Sequence, residues 1–269
     1  MAVLKVGVIG PRSSLGRELC NWYTPIECDI TSKESVRVNT EGFDVIINCA
    51  AKTDLDWCET HKDETFAVNM RGVGTLRNIF KGWLVHLSTS YVYADKYCLI
   101  HKEDDLAFNP INVYSAAKLG ADIYLSTYME NTTIVRTMGL FGSIFKIDGM
   151  RAFFDGNISS APTNLFGQCI HVKDLALCIK EIIDRKILKG EIINLVHEYS
   201  YMSRWDLYTA IRNLAKKKTN AKFPIIEKVK WQHVKGLADR PEFAVLSLAK
   251  AKEYDLPIGT IHTGLARMI

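Results

Sequence analysis

The hydrophobic residues of this 269-residue chain form short runs that alternate with longer segments of helical periodicity. The runs rich in β-branched residues, which are typical of buried parallel strands, cover residues 3–9, 44–51, 83–87, 133–136 and 191–195. Apolar side chains recur at helical spacing in the intervening segments, at residues 14–22, 61–80, 111–129, 174–183 and 205–215. Strands that alternate with helices predict an α/β fold, with a Rossmann-type doubly wound parallel sheet and helices on both faces.

The pattern changes after residue 141. Glycines, Pro162 and mixed polar residues predict loops and short elements over residues 142–168, ahead of the helix at 174–183. No stretch of linker-like composition separates the two parts. We therefore expect residues 1–140 to form the Rossmann-type domain. Residues 141–269 are expected to form mostly a smaller C-terminal lobe that is interleaved with it.

Composition and charge argue against several classes of protein. The net charge is +4 with both signs scattered, and there is no basic stripe of the kind that binds nucleic acid. There is no run of about 18 apolar residues that would span a membrane, and the opening strand is too short and interrupted for a signal peptide. The 7 cysteines and 7 histidines show neither Cys-x-x-Cys nor zinc-ligand spacing. We therefore expect a cytoplasmic protein with reduced thiols and no metal site.

Tyr114 and Lys118 are the first candidates for chemistry, since they lie four residues apart in the helix predicted after Pro110. At this spacing two side chains lie one turn apart on the same helix face. A lysine ammonium beside a phenol favours the phenolate and is expected to lower the pKa of Tyr114. Such a tyrosine can exchange a proton with an alcohol or ketone oxygen. Either residue alone would be an ordinary surface side chain, but a strand ending in Ser88-Thr89-Ser90 precedes the pair.

A glycine turn joins the first predicted strand to the first helix. Gly10 and Gly16 flank this turn, and Ser13 or Ser14 is suited to cap the helix. A strand, a tight turn and a helix N-terminus together form a pyrophosphate site, because backbone N–H groups and the positive helix end face the phosphates. Taken alone, the loop could equally be an ordinary strand-to-helix turn.

These residues resemble those of the extended short-chain dehydrogenase/reductases, and most of all the dTDP-4-dehydrorhamnose reductase group. The resemblance spans nearly the whole chain, with matching segments at residues 10–19, 27–31, 44–56, 68–69, 88–93, 112–119, 134–137 and 170–176. No single segment is specific to the superfamily, but the combination is. The resemblance implies that residues 1–140 bind NADPH or NADH and that the C-terminal lobe binds a nucleotide-linked sugar.

The resemblance also assigns roles to individual residues. Tyr114 would give a proton to a sugar carbonyl oxygen, Lys118 would hold the nicotinamide ribose, and Thr89 would bond the same sugar oxygen. The residues it assigns to the cofactor site are Gly10, Arg12, Ser13, Ser14, Leu15, Gly16, Asp29, Ile30, Cys49, Ala50, Ala51, Asn69, Tyr114 and Lys118. Asn69 resembles an asparagine that steadies the sheet and the active site, whereas Asp29 either lies near the adenine or stabilises a turn.

Other implications concern cofactor choice, substrate and assembly. Arg12 could meet a 2′-phosphate, which slightly favours NADPH over NADH, or it could simply face solvent. Basic residues of the second lobe would hold the nucleotide diphosphate, and Lys146, Arg151 and Arg240 are candidates. The family also implies a homodimer formed through the helices at 61–80 and 111–129.

The chain departs from the family pattern at three places. Ser13 replaces the middle glycine of the loop, which adds bulk near the pyrophosphate, although its hydroxyl could bond a phosphate. Residues 21–28 form a short segment, so the second strand is truncated or fused with residues 26–28, and no acid for the adenosine ribose can be named. Met138-Gly139 stands where the reductases have Ser-Trp, which predicts a differently shaped sugar pocket.

Two further functions remain open from the sequence. An epimerase of the same class would keep NAD bound through turnover, whereas a reductase exchanges its cofactor. A non-catalytic NADP-binding regulatory subunit, like that of methionine adenosyltransferase, is favoured by Ser13 but opposed by Tyr114 and Lys118. A 4,6-dehydratase is disfavoured, because those enzymes place an Asp-Glu pair after the active-site threonine and this chain has Ser90-Tyr91.

Overall fold

The computed structural model describes residues 3–93, 100–106, 110–142, 160–219 and 225–267. The strands within these ranges are, in chain order, β1 (Val6–Ile9), β2 (Thr24–Ile26), β3 (Val45–Asn48), β4 (Trp83–Thr89), β5 (Ile100–His101), β6 (Thr132–Thr137), β7 (Leu140–Phe141), β8 (Ser160–Pro162), β9 (Phe166–Gly167), β10 (Ile170–His171), β11 (Ile192–Asn194), β12 (Met202–Ser203), β13 (Glu227–Val229) and β14 (Val245–Leu246). One parallel sheet of six strands has the order β2-β1-β3-β4-β6-β11, and the other strands pair two by two. The predicted α/β fold is confirmed.

Helices cover both faces of this sheet. In chain order they are α1 (Ser14–Leu19), α2 (Lys33–Thr40), α3 (Leu55–Thr60), α4 (Lys62–Phe66), α5 (Val73–Ile79), α6 (Val113–Ser126), α7 (Val172–Asp184), α8 (Arg204–Thr219), α9 (Ala249–Glu253) and α10 (Ile261–Ala266). A π-helical segment, Ala67–Gly72, joins α4 to α5. None of the helices in the described ranges is long and apolar enough to cross a membrane.

One face of the sheet packs against α1 and α7. Val8, Ile47 and Val85 are aligned on three neighbouring strands and are fully buried there, together with Leu19 and Leu175 from the helices. Complete burial of such a side chain contributes about 1.5–3 kcal/mol. This packing explains why the strands have nearly continuous apolar sequences, since both faces of a parallel sheet are covered.

The second face packs against α2, α5 and α6. Ile46, Leu84 and Ile134 of the sheet are fully buried against Leu76 of α5 and Leu125 of α6. The α6 helix therefore lies directly over β4 and β6, with its first turn near the carboxyl ends of these strands. This placement brings the N-terminal half of α6 to the edge of the sheet where the functional residues are expected.

Two elements differ from the sequence-based prediction. The single helix expected over residues 61–80 is divided into α4, the π-helical segment and α5, because six residues make wider turns there. The helix α2 is not evident in the sequence, since it is mostly polar and buries only Val36 and Thr40. Its N-cap is Ser32, whose side chain accepts a hydrogen bond from the Ser35 amide.

The second strand is as short as the sequence indicates. Thr24–Ile26 pairs with β1 at the edge of the sheet, and only Ile26 is buried. Pro25 is tolerated because an edge strand has one side without partners. The expected truncation of this strand is confirmed, and the strand nevertheless fixes where the following residues lie.

The chain returns to the main sheet after residue 141. Strand β11 pairs with β6 through Ile193 and Val135, and α7 packs beside α1. The short strand pairs β8–β13 and β9–β12 lie in the remaining part together with α8. The part of the chain after residue 141 thus contributes one strand to the main sheet and also contains short strand pairs outside it, and its division into a smaller lobe stays a prediction.

Candidate active site

Two loops meet at the carboxyl edge of the sheet, where the strand order reverses. From β1 the chain continues to β2 on one side, whereas β3 lies on the other side of β1, and α/β sheets bind ligands at such a point. Gly10 follows β1 with a φ of +78°, and a Cβ there would lie 2.8 Å from the Ala50 amide nitrogen. Glycine is therefore required for the loops after β1 and β3 to touch. Cys49, Ala50 and Ala51 are half-buried in this crevice.

Ser13 closes the first loop with its own side chain. Its hydroxyl donates to the Gly10 carbonyl at 2.8 Å and accepts from the Gly16 amide at 3.0 Å, which makes it the N-cap of α1. A Cβ on Gly16 would lie 2.2 Å from the Gly10 carbonyl oxygen, so the helix packs closely on the strand only with glycine. The two outer glycines fit a pyrophosphate loop. The expected bond from the Ser13 hydroxyl to a phosphate is not supported, because the hydroxyl already donates its proton to the Gly10 carbonyl.

Arg12 and Glu27 form an exposed ion pair at the rim of this loop. The Arg12 Nη2 and Glu27 Oε2 atoms are 3.0 Å apart, and the two side chains are 87% and 66% exposed. Glu27 directly follows β2, the position from which an acid meets the adenosine ribose in dinucleotide-binding folds. Glu27 is hard to recognise in the sequence because β2 is so short. The available signal is an acid roughly 20 residues after the first glycine.

Asn69 stabilises the loop that follows β3. Its side-chain oxygen accepts from the Lys52 amide and its side-chain nitrogen donates to the Lys52 carbonyl, both at 2.8 Å. Asn69 is fully buried in the π-helical segment, where π-helical turns often mark functional sites. Asn69 therefore positions the loop, and its part in a cofactor site stays a prediction.

Four other predicted cofactor residues belong to the core, to a turn or to the start of α1. Leu15 and Ile30 are 3% and 2% exposed within the core, so only their backbone could contact a cofactor. The Asp29 carboxylate accepts from the Thr31 hydroxyl at 2.7 Å and from the Thr31 amide at 2.9 Å, and these bonds lower the pKa of Asp29. Asp29 therefore stabilises a turn, and its place near an adenine stays a prediction. Ser14 begins α1.

Tyr114 lies in the first turn of α6, whose start is firmly held. Asn112 and Ser115 form a reciprocal capping box, and the Val113 amide donates to Glu59 at 2.8 Å. Thr89 ends β4, and its hydroxyl lies close enough to the phenol of Tyr114 to influence the pKa of that phenol. The structure therefore brings the predicted proton donor and the predicted threonine together at the carboxyl edge of the sheet.

The pKa of Tyr114 differs from the expected direction. Burial raises it above the ordinary value of 10, and the neighbouring Thr89 hydroxyl lowers it by less. Lys118 has no part in this shift, because its hydrogen bonds go to β4. The expected lowering of the Tyr114 pKa by Lys118 is therefore wrong for this structure, and Tyr114 remains a neutral phenol at neutral pH.

Lys118 is buried between α6 and β4. Only 2% of the residue is exposed, and its Nζ atom bonds to the Leu87 carbonyl at 2.5 Å and to His86 Nε2 at 3.1 Å. Burial lowers the pKa of Lys118 to about 8, although the nearby Asp122 carboxylate and the Cys49 thiol act in the opposite direction. The lysine is thus close to the point at which it changes charge.

Of the three predicted diphosphate ligands, only Arg240 lies within the described residues. Its guanidinium makes two contacts of 2.7 and 2.9 Å with the Asp56 carboxylate. The hydrogen bonds from Arg240 are the main cause of the lowered pKa of Asp56. This pair ties the C-terminal lobe to α3, so Arg240 is already neutralised. Lys146 and Arg151 lie outside the described residues.

Arg204 is a cation near the site that the sequence patterns do not single out. It begins α8, and its guanidinium lies near the phenol of Tyr91, whose ring meets the Tyr114 ring edge to face at 6.5 Å. Burial lowers the pKa of Arg204, but the phenols of Tyr91 and Tyr208 more than offset this and raise it. Within the described ranges Arg204 makes no ion pair with a carboxylate. No sequence motif marks it, since its place depends on the packing of the C-terminal lobe.

The strand order, the touching loops and the Tyr114–Thr89 pair define an α/β protein with a dinucleotide-type site of the short-chain dehydrogenase class. The chain belongs to the family described as the RmlD substrate binding domain, whose model matches residues 7–269.

Curated relatives and solved structures are consistent with this assignment. The chain is 28% identical to the dTDP-4-dehydrorhamnose reductase of Aggregatibacter actinomycetemcomitans over 84% of this chain and 81% of that protein. It is 30% identical to the Mycolicibacterium smegmatis reductase over 62% of this chain, a match that spans about half, 53%, of that protein. The dTDP-4-dehydrorhamnose reductase of Bacillus anthracis, solved in complex with NADP, shares the fold with a TM-score of 0.86 over 99% of both chains at 20% identity.

Proposed function

We propose that this chain is an NADPH-dependent reductase that acts on the 4-keto group of a nucleotide-linked 6-deoxy sugar. The observation that carries the proposal is the juxtaposition of Tyr114 and Thr89 at the carboxyl edge of the sheet, with Lys118 one turn further along α6. The relatives named dTDP-4-dehydrorhamnose reductase support the same reaction. Residues 10–16 and 49–51 would hold the cofactor, and the C-terminal lobe would hold the sugar nucleotide.

In this proposal the residues of the chain divide the proton chemistry between them. NADPH, when bound, supplies the hydride. Tyr114 donates its phenolic proton to the sugar carbonyl oxygen, and its raised pKa keeps that proton in place at neutral pH. The Thr89 hydroxyl, which can both donate and accept, orients the same oxygen. Once Lys118 carries a positive charge, it stabilises the Tyr114 phenolate that results.

Ser90 supports a reductase rather than a dehydratase. It follows Thr89 and is fully buried at the start of a short 3₁₀ turn. A dehydratase would need a carboxylate near this position to remove a proton and release water. A serine at this place cannot act in that way.

The direct test is an assay with NADPH and a panel of dTDP- and UDP-linked 4-keto-6-deoxy sugars. The reaction is monitored through the loss of NADPH absorbance. We expect oxidation of NADPH that depends on one member of the panel. Turnover with tightly retained NAD and no net oxidation would instead identify an epimerase. Binding of NADPH without turnover of any sugar would favour a regulatory subunit, and no binding by a folded protein would reject the proposal.

The pairing of Arg12 with Glu27 leads to a prediction about cofactor choice. We expect Glu27→Gln to lower the ratio of the KM for NADPH to the KM for NADH about fivefold. This change corresponds to about 1 kcal/mol of binding free energy. The substitution releases the Arg12 guanidinium for a 2′-phosphate and removes a carboxylate that would repel it. Steady-state kinetics with both cofactors measure the ratio. Glu41→Gln, at the end of α2, serves as the control, and an unchanged ratio in Glu27→Gln would place the adenosine ribose elsewhere.

Arg204 is proposed to contact a phosphate of the nucleotide-linked sugar. It is close to Tyr114 through Tyr91, and within the described residues its charge is not balanced by a carboxylate. We expect Arg204→Met to raise the KM for the sugar nucleotide about 10–100-fold, since a hydrogen bond to a charged group contributes about 1.5–3 kcal/mol. The KM for NADPH should stay the same. Arg212→Met on the same helix is the control, and a loss confined to kcat would contradict this role.

We also propose that the protein is a homodimer formed through helices near residues 61–80 and 111–129. The exposed side chains of Ile123 and Tyr128, 59% and 38% exposed, lie on or directly after α6 and support such an interface. Light scattering coupled to size exclusion measures the assembly directly. A monomer at micromolar concentration would reject the proposal.

The compartment is proposed to be the cytoplasm. The cysteines within the described residues are free thiols, and the reducing cytoplasm keeps thiols in that state. Fractionation of cells that express the protein tests this, and recovery with an oxidising compartment would contradict it.

A further inference from the structure

The apolar face of the sheet beneath α6 gives way to buried polar side chains. Asn48 and His86 are register partners on β3 and β4, and Lys118 reaches them from α6. Their exposed fractions are 1%, 0% and 2%. Polar side chains in such a place destabilise a fold unless hydrogen bonds satisfy them, so each donor here needs an acceptor.

Asn48 fixes which ring nitrogen of His86 carries the proton. The Asn48 side-chain atom that receives the Ala50 amide at 3.1 Å must be the oxygen, because an amide N–H can only donate. The Asn48 nitrogen then faces His86 Nδ1 at 3.2 Å and donates to it. Burial lowers the pKa of His86 well below its ordinary value, so the ring is neutral. A neutral ring with an accepting Nδ1 carries its proton on Nε2.

The same reasoning determines the form of Lys118. His86 Nε2–H points at Lys118 Nζ over 3.1 Å, and an ammonium has no lone pair with which to accept it. A neutral amine satisfies every group, because it accepts from His86 and donates to the Leu87 carbonyl. The bonding pattern is therefore complete only when the lysine is uncharged.

The other groups around Lys118 are compatible with this state. On its own helix, Asp122 forms an ion pair with Arg136 of β6, with Nε and Oδ2 3.1 Å apart. From the loop after β3, Cys49 faces the lysine, and burial raises the pKa of its thiol to about 12, so it is neutral. Tyr114, one turn earlier on α6, is a neutral phenol as well.

We propose that His86 is a positioning residue that acts through Lys118, holding it against β4 as a neutral amine that must gain a proton before it can serve Tyr114. The proposal rests on the proposed function for the role of Lys118, but the hydrogen-bond pattern stands apart from it. When a proton from solvent reaches Nζ, the lysine can only donate. His86 must then move its ring proton from Nε2 to Nδ1 and give up the bond from Asn48, or Lys118 must leave His86.

Nitrogen-15 NMR of histidine-labelled protein without added cofactor tests the pattern, because protonated and unprotonated ring nitrogens differ strongly in chemical shift. At about pH 9, above the lowered pKa of Lys118, we expect a neutral His86 with its proton on Nε2. On lowering the pH through about 8, where Lys118 titrates, the His86 shifts should change although the ring stays neutral. A proton on Nδ1 of His86 at about pH 9 would overturn the proposal. So would His86 chemical shifts that stay constant while Lys118 titrates.

Asn48→Asp reverses the hydrogen bond that sets the pattern. A carboxylate at this position still accepts the Ala50 amide, but it can only accept from His86. We therefore expect His86 to carry its proton on Nδ1 at all pH values and the pKa of Lys118 to rise. Asn39→Asp adds the same charge on α2 and should keep the wild-type pattern. Retention of the Nε2 proton in Asn48→Asp would contradict the proposal. If that variant does not fold, the wild-type spectrum alone decides which ring nitrogen of His86 carries the proton.

The functional consequence is a proton taken up when NADPH binds at alkaline pH. Calorimetric titrations at about pH 9, in two buffers with different protonation enthalpies, should give different heats for wild type and equal heats for Asn48→Asp. Equal heats for wild type, while NADPH binds, would contradict the role of His86. Absence of NADPH binding would contradict the proposed function instead and would leave the NMR result unaffected.

Discussion

Tyr114→Phe is expected to lower the turnover number by about 10²–10⁴-fold, because a positioned proton donor contributes about that factor. The substitution removes the phenolic proton beside Thr89 but keeps the ring and its edge contact with Tyr91. NADPH affinity should remain close to that of wild type. Single-turnover measurements with NADPH and the sugar nucleotide, together with a fluorescence titration of NADPH, separate the two effects.

The matched control for this variant is Tyr124→Phe. Tyr124 lies further along α6, where its hydroxyl donates to Asn78 at 2.7 Å on an exposed face. The control loses one phenol from the same helix and should retain wild-type turnover. Turnover in Tyr114→Phe equal to that of the control would reject Tyr114 as the proton donor and would leave the site without an identified acid.

Asp122→Asn is expected to lower the free energy of unfolding by about 3–5 kcal/mol, because it leaves a buried arginine without a counter-charge. The side chains of Asp122 and Arg136 are 3% and 5% exposed. Arg136 also donates to the Tyr93 hydroxyl and lies over the Tyr93 ring, so it cannot turn to solvent without disrupting the end of β6. Urea unfolding followed by circular dichroism measures the change.

Glu34→Gln provides the comparison for an exposed pair. Arg37 and Glu34 are 2.8 Å apart on α2, but their side chains are 67% and 71% exposed. Such pairs contribute about 0–1 kcal/mol, so this variant should unfold almost like wild type. An equally small effect in Asp122→Asn would show that the buried pair is not needed for stability and that Arg136 finds other partners.

The sequence predicts the sheet well because each of its central strands is covered on both faces. Short apolar runs at β1, β3 and β4, and the pair Ile134-Val135 within β6, are typical of such strands, and the loop at Gly10 and the Tyr114–Lys118 spacing are recognised beside them. The N-cap at Ser13 is likewise evident from local chemistry. These features depend on residues that are close together in sequence.

Other parts depend on contacts between distant residues and are not evident in the sequence. Glu27 becomes a cofactor candidate only because an exposed three-residue strand places it beside Arg12. Arg204 approaches Tyr91 through the packing of α8, about 110 residues later in the chain. His86 interrupts an apolar run, so the sequence alone suggests an ordinary core histidine. Its hydrogen-bond partners come from β3 and α6, which are distant in the chain. The pKa directions of Tyr114 and Lys118 depend on burial, which spacing alone does not reveal.

The side chain of Ser13 also has a consequence for how a ligand is bound. Because its hydroxyl joins Gly10 to Gly16, folding alone holds residues 10–16 in one conformation. Ordering a mobile backbone costs about 1–2 kcal/mol per residue, and a loop that is already ordered does not incur this loss of entropy on binding. A glycine at position 13 would allow a closer approach of the phosphates, but the loop would then lose more backbone conformational entropy when the ligand binds. In the proposed function, this loop would therefore bind the phosphates through preorganisation, where the family pattern relies on proximity.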